Sequence, residues 1–193
     1  MDEFSLIRRY FQRTQPYRHA SLGIGDDCAL LAPLAGEQLA ISTDMLVENR
    51  HFFADVHPAA LGHKTLAVNL SDLAAMGAQP LGFTLAAAIP HINEAWLAPF
   101  SQGLFDLADA HACDLIGGDT TQGPLNLCVT VFGSVPSALA LRRSTAQVGD
   151  DIYVSHANGG IGDARLALHL LLQQKQLPHH LPALPPQQRS TLL

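Results

Sequence analysis

Four aspartate sites carry the chemical interest of this 193-residue sequence: Asp26-Asp27 behind a Gly-x-Gly turn, Asp44 closing Ser42-Thr43-Asp44, Asp72 inside a long apolar segment, and Asp119 behind Gly117-Gly118. Each stands where an apolar run ends or buries a face. Taken singly, an aspartate in such a place is a helix cap or a turn residue. Gathered in one partly dry site, several carboxylates repel one another unless a divalent cation neutralises them. Oxygen donors with no Cys or His at ligand spacing select a hard ion, Mg2+ or Mn2+, over zinc. Mg2+ keeps several waters and bridges substrate phosphates, so such a site points to nucleotide and phosphoryl chemistry.

A phosphate-binding loop of the G-x-x-x-x-G-K-[ST] type is absent; the nearest piece, Gly62-His63-Lys64-Thr65, lacks the spacing and falls inside a predicted helix. Gly117-Gly118-Asp119, read as a turn, instead offers backbone N–H groups to a phosphate while Asp119 holds the metal. Arg142 and Arg143 lie beside a predicted domain edge, where they either neutralise phosphate oxygens or are simply solvated. His51 precedes the Phe52-Phe53 pair and is either a substrate contact or an ordinary loop histidine.

Composition narrows the classes. With 48% hydrophobic and 15% charged residues the chain has the makings of a folded core. Seventeen acidic residues against 11 basic ones give a net charge of −6, with no basic stripe to track a phosphate backbone, so nucleic acid is not an expected partner. The most apolar stretch, residues 61–75, is interrupted by His63, Lys64, Asn69 and Asp72 and cannot span a bilayer. The start Met1-Asp2-Glu3 lacks the apolar core of a secretory signal, and the expected location is the cytoplasm. Cys28, Cys113 and Cys128 have no pair spacing and read as small buried apolar residues.

The elements that must position these residues follow from periodicity and turn chemistry. Residues 3–13 place Phe4, Ile7, Tyr10 and Phe11 on one helical face. Short apolar runs at 28–32 and 39–43, split by Pro33 and Gly36, predict a hairpin or two neighbouring strands. Residues 58–78 predict a buried helix with Pro58 in its first turn and Gly77 as its stop. A strand follows at 81–89, then a helix capped by Asn93 and running to His111, with Pro99 predicting a kink or a late start. Strands at 113–116 and 125–135 are expected on either side of the 117–121 turn. The order is mixed α+β. A boundary is placed near 142–151, giving a domain at 1–141, the start of a second at 142–177 with a strand at 152–155 and a helix to Leu172, and a proline-rich tail at 178–193.

The set Gly23-Ile24-Gly25-Asp26-Asp27, Ser42-Thr43-Asp44, Asn69-Leu70-Ser71-Asp72-Leu73-Ala74-Ala75-Met76-Gly77-Ala78 and Gly117-Gly118-Asp119-Thr120-Thr121, in this order, resembles the bacterial thiamine-monophosphate kinase family. That family belongs to the superfamily of aminoimidazole ribonucleotide synthase (PurM), with selenophosphate synthetase and HypE as relatives. The resemblance covers about the first 155 residues. It implies an α/β domain whose strands join a dimeric β-barrel, a homodimer, and transfer of the γ-phosphoryl of ATP to thiamine monophosphate. It also implies roles: Asp27, Ser42, Thr43, Asp44, Asp72 and Asp119 as Mg2+ ligands, Gly118 and Asp119 at ATP, Arg143 at its phosphates, and His51 at the thiamine phosphate. Family members continue into a complete second domain whose Ser-Asp-Gly motif has no counterpart here. The expectation is therefore a chain truncated in its second domain and weakly active or inactive alone, the alternatives being a dimerising nucleotide-binding fragment or a relative acting on a different acceptor.

Overall fold

The computed structural model describes residues 2–32, 35–153 and 163–175. Its elements in chain order are α1 (Glu3–Tyr10), β1 (Ala20–Leu22), β2 (Leu30–Leu31), β3 (Glu37–Val47), α2 (Pro58–Ala75), β4 (Gln79–Ile89), α3 (Glu94–Ala110), β5 (Asp114–Gln122), β6 (Asn126–Pro136) and α4 (Asp163–Gln174). They fall into two units, Met1–Thr145 and Ala146–Leu193. The second contributes α4; in it Ile152 and Tyr153 are exposed and without regular structure, and the rest of the strand expected at 152–155 lies outside the described residues, as does the proline-rich tail.

In the first unit a four-stranded sheet runs in the order β3-β6-β4-β5. β4 and β5 are parallel and joined by α3, while β6 lies antiparallel between β3 and β4. Parallel neighbours need a crossover, which α3 supplies. The step from β5 to β6 passes over the end of β4, where Gly123 N–H donates to the Ile89 carbonyl. Helices α2 and α3 cover one face. There Phe83, Leu127, Val129 and Val131 from the strands meet Leu61, Leu66, Leu73, Leu97 and Leu104 from the helices, all essentially inaccessible. Burial of this apolar set is the main stabilising term. The other face is open, with Leu39, Ile41 and Met45 of β3 40%, 60% and 52% exposed.

The helices meet backbone to backbone. A Cβ on Gly62 of α2 would lie 2.0 Å from the Phe100 carbonyl oxygen, and one on Gly103 of α3 would lie 2.0 Å from that of Ala59. These reciprocal glycines let two apolar helices close to a distance that any larger residue forbids. α2 starts with Pro58 at its first turn, where the missing N–H costs nothing, and ends on Gly77 at φ 70°, with Ala78 N–H returning to the Leu73 carbonyl. α1 buries Leu6 and Tyr10 in the core, and exposed ion pairs add to its contact with α3: Arg9 pairs with Glu94 at 2.7 Å, and Arg13, just past the helix, pairs with Asp109 at 2.6 Å while lying 4.4 Å from the Phe105 ring centroid.

Several expectations change. β2 pairs with β1 rather than with β3, whose one strand neighbour is β6. The 117–121 segment is no turn; it is the body of β5, which runs parallel to β4, and the turn falls at Gly123-Pro124. α3 starts at its Asn93 cap and continues through Pro99, so there is no late start. In α1 the buried residues are Leu6 and Tyr10, while Phe4 is 73% exposed. Cys28 is exposed rather than buried, and Cys113 alone is fully enclosed, its thiol pushed up to about 12 by desolvation.

Two outcomes follow. Gly62→Val must push the helices apart, and urea unfolding should show a loss of about 3 kcal/mol, the upper end of overpacking costs. The Arg13 hydrogen bond, opposed by a smaller desolvation cost, holds the Asp109 carboxyl below its usual value. A carboxyl that is a stronger acid in the folded chain stabilises above about pH 4 and loses that contribution as the pH falls through its lowered value. The stability gap between the parent chain and Asp109→Asn should therefore shrink between roughly pH 6 and pH 3, as read by urea unfolding at both.

Candidate functional site

One group of candidate residues sits where α2 docks on β3. The two-residue period of the strand turns Ser42, Asp44 and Leu46 toward the helices and Thr43 and Met45 toward the open face. Ser42 Oγ donates to Asp72 Oδ2 at 2.5 Å, bridging strand and helix. Asn69, fully buried one turn before Asp72, accepts the Asp44 backbone N–H on Oδ1 at 3.2 Å and donates from Nδ2 to the Thr65 carbonyl at 3.2 Å. Every strong polar contact of this helix with β3 thus runs through the Asn69-to-Asp72 turn. A buried amide with both ends satisfied aligns helix and strand; either end left unpaired would carry a desolvation penalty. Thr43 Oγ1 is 2.9 Å from Thr130 Oγ1 on the opposite face.

A second group sits at the other edge of the sheet. A cavity of about 1130 Å3 is lined by the Gly23–Asp27 loop, by Gly117–Thr120 of β5, by Thr84 and Phe132 of the open face, and by Phe4, Ile7 and Arg8 of α1. It exceeds the roughly 300–1,000 Å3 usual for small-molecule clefts. Gly118 takes φ 149°, and a Cβ there would fall 1.9 Å from the Leu85 carbonyl oxygen, so only glycine permits this approach of β5 to β4. Asp119 follows it on the open face, in the row Met45, Cys128, Ala86, Asp119 across the sheet. In the facing loop Asp26 Oδ1 accepts the Asp27 N–H at 2.8 Å, and both carboxylates are exposed.

The structure therefore brings together Asp26, Asp27, Gly118 and Asp119 on one side, and Ser42, Asp44 and Asp72 on the other. Across four strands the two edges are about 14 Å apart, and Asp44 and Asp119 occupy opposite faces. Among the described residues no group of three or more His, Cys, Asp or Glu is gathered to hold a metal ion. The expected convergence of Asp27, Ser42, Thr43, Asp44, Asp72 and Asp119 does not occur within one copy of the unit. Each half is still an all-oxygen donor set, the chemistry that suits a hard cation.

His51 closes the turn after β3. Its Nδ1 accepts the Val47 N–H at 3.0 Å and its carbonyl accepts from Lys64 Nζ. Arg143 is exposed, two residues past Leu141, whose N–H donates to the Met76 carbonyl at the end of α2; it is not among the residues lining the cavity. Sequence reasoning assigned no role to Asn69 or Tyr17. The signal for Asn69 was an amide one helical turn before an aspartate on a buried face. No helix among the described residues is long and apolar enough to cross a membrane.

Residues 25–135 match the family described as AIR synthase related protein, N-terminal domain. The chain is 52% identical over 176 residues to thiamine-monophosphate kinase of Escherichia coli (strain K12), a match that covers 91% of this chain and 53% of that one. The crystal structure of thiamine-monophosphate kinase from Stenotrophomonas maltophilia K279a aligns with a TM-score of 0.79 at 48% identity, covering 100% of this chain and 59% of that chain. AaThiL complexed with AMPPCP and TMP aligns with a TM-score of 0.67 at 27% identity, covering 77% of this chain and 47% of that chain. The chain spans about half the length of the curated relatives it matches. With its mixed sheet under a single helical layer and the family match across more than half its length, the chain belongs to the AIR synthase related protein family through that N-terminal domain.

Proposed function

We propose that the chain is the nucleotide-binding half of a cytoplasmic enzyme that transfers the γ-phosphoryl of ATP to thiamine monophosphate, giving thiamine diphosphate. The observation that carries this reading is the cavity on which Asp27, Gly118 and Asp119 converge, in a chain 52% identical to a thiamine-monophosphate kinase. Phosphoryl transfer asks little covalent work of a protein; positioning and charge neutralisation do most of it. In this reading Gly118 and Asp119 face ATP, Arg143 meets its phosphates, and Asp27, Ser42, Thr43, Asp44, Asp72 and Asp119 hold Mg2+, which when bound neutralises phosphate charge. In the same reading His51 meets the acceptor phosphate. With Nδ1 accepting from Val47, its neutral ring carries the proton on Nε2, the atom that would donate to a phosphate oxygen.

The two acidic halves lie at opposite edges of the sheet, and in the sheet β3 and β5 each have one strand neighbour. A homodimer in which the open faces of two sheets close a barrel would bring the β3 edge of one copy toward the β5 edge of the other. The exposed Leu39, Ile41 and Met45 on that face support this pairing, since a solvated sheet face is ordinarily polar. A second reading, a dimerising and nucleotide-binding part without turnover, draws on the same exposed apolar row and the same cavity.

Titration of Mg-ATP and then thiamine monophosphate into the chain, with a thiamine diphosphate assay on the same sample, separates the readings. Binding with product supports the kinase, binding without product supports the second reading, and no binding refutes both. Asp119→Asn should weaken Mg-ATP binding at least about tenfold, roughly 1.4 kcal/mol, with an unchanged melting temperature. Equal affinity would make the carboxylate structural. Ile41→Asp should shift sedimentation from dimer to monomer while leaving the helical signal intact; an unchanged dimer would remove the open face from the interface.

A further inference from the structure

The loop carrying Asp26 and Asp27 contains Gly23 and Gly25, the latter at φ 121°, and most of its length is exposed, so little in its own sequence holds it in one shape. It is nevertheless gripped at Ile24 through both backbone groups. The Tyr17 hydroxyl oxygen accepts the Ile24 N–H at 2.8 Å, and Gln12 Nε2 donates to the Ile24 carbonyl at 3.5 Å. The Tyr17 ring fills the space beside Gly23: a Cβ there would fall 2.2 Å from ring atom Cζ and 2.5 Å from the hydroxyl oxygen. A side chain at position 23 would therefore displace the Tyr17 ring.

Tyr17 is in turn anchored through the next residue. The Arg18 N–H donates to Asp114 Oδ2 at 2.6 Å, and its guanidinium pairs with Asp114 and, at 3.5 Å, with Asp109. Asp114 is the first residue of β5, the strand that presents Gly118 and Asp119 to the same cavity as Asp26 and Asp27. A continuous line of contacts therefore joins β5 to the facing loop: Asp114, Arg18, Tyr17, Ile24, Asp26. We infer that Tyr17 is a positioning residue, which latches the glycine loop to the β5 framework and so sets Asp27 at a fixed separation from Asp119 across the nucleotide cavity. This rests on the nucleotide-binding reading above. Tyr17 does not line the cavity; it removes alternative loop conformations that binding would otherwise have to remove.

Tyr17→Phe keeps the ring beside Gly23 and deletes the hydroxyl alone, and Gly23→Ala displaces the ring from the other side. In both, exchange of the Ile24 amide hydrogen should quicken at least tenfold. Affinity for Mg2+ with AMPPCP, read by titration calorimetry, should fall at least fivefold, and the melting temperature should stay near that of the parent. Unchanged Ile24 exchange, or unchanged affinity in both variants when the parent binds, overturns the inference. A parent chain with no affinity for Mg-AMPPCP refutes the functional reading instead. In that case the latch is judged on Ile24 exchange alone, upheld by acceleration and refuted by its absence.

Discussion

A four-stranded sheet packed by helices on one side must give its other side to water or to another chain, and this constraint organises the molecule. The covered face is dry and built from Phe83, Leu127, Val129 and Val131, where apolar burial is largest. The uncovered face carries Ile41 and Met45 beside Thr43, Thr130 and Asp119. The same two-residue period that makes one face a core therefore divides the acidic residues of β3 and β5 between two environments. Asp44 belongs to the helix side and Asp119 to the open side.

Helix α2 links fold to site. Its glycine contact with α3 sets how near the helical layer lies, and its Asn69-to-Asp72 turn fastens that layer to β3 through Ser42 and the Asp44 backbone. One helix thus serves both packing and placement of carboxylates. The Asn69 amide fixes the Asp44 backbone and the Ser42 hydroxyl holds the Asp72 carboxylate, so the contact of helix and strand sets where both acidic residues stand. At the opposite edge the placement is looser by construction. There an exposed, glycine-rich loop faces a strand, and single side-chain contacts from Tyr17 and Gln12 take the place of a packed layer.

Much of this was legible in the sequence. The helices at 58–75 and 94–110 followed from a proline-to-glycine frame and an asparagine cap, signals that act within a few residues and survive any tertiary context. The strand at 79–89 followed from its apolar run. The mixed α+β character was legible for the same reason, and so was the family resemblance, carried by short motifs whose residues are contiguous. Where local signals conflicted, reading them locally failed. Gly117-Gly118-Asp119 has the composition of a turn, yet it lies in β5 because Gly118 permits an approach to the Leu85 carbonyl that no residue with a Cβ could make. The 28–32 run looked like the hairpin partner of the following strand; its residues Leu30 and Leu31 pair instead with β1, and β3 finds its neighbour in β6, far along the chain.

What the sequence determined by itself was therefore identity and local form: which residues can bind a hard cation, where helices begin and stop, and which segments are apolar enough to be strands. Only the tertiary structure decided which of those residues meet. Asp26, Asp27 and Asp119 share a cavity, whereas Asp44 and Asp72 are tied together at the other edge, because strand order and face are set by pairings between residues distant in the chain. Spacing along a sequence fixes distance only within one element. Between elements, the distance is a product of packing, and the contacts of Gly62, Asn69 and Tyr17 that produce it leave no periodic trace in the residues around them.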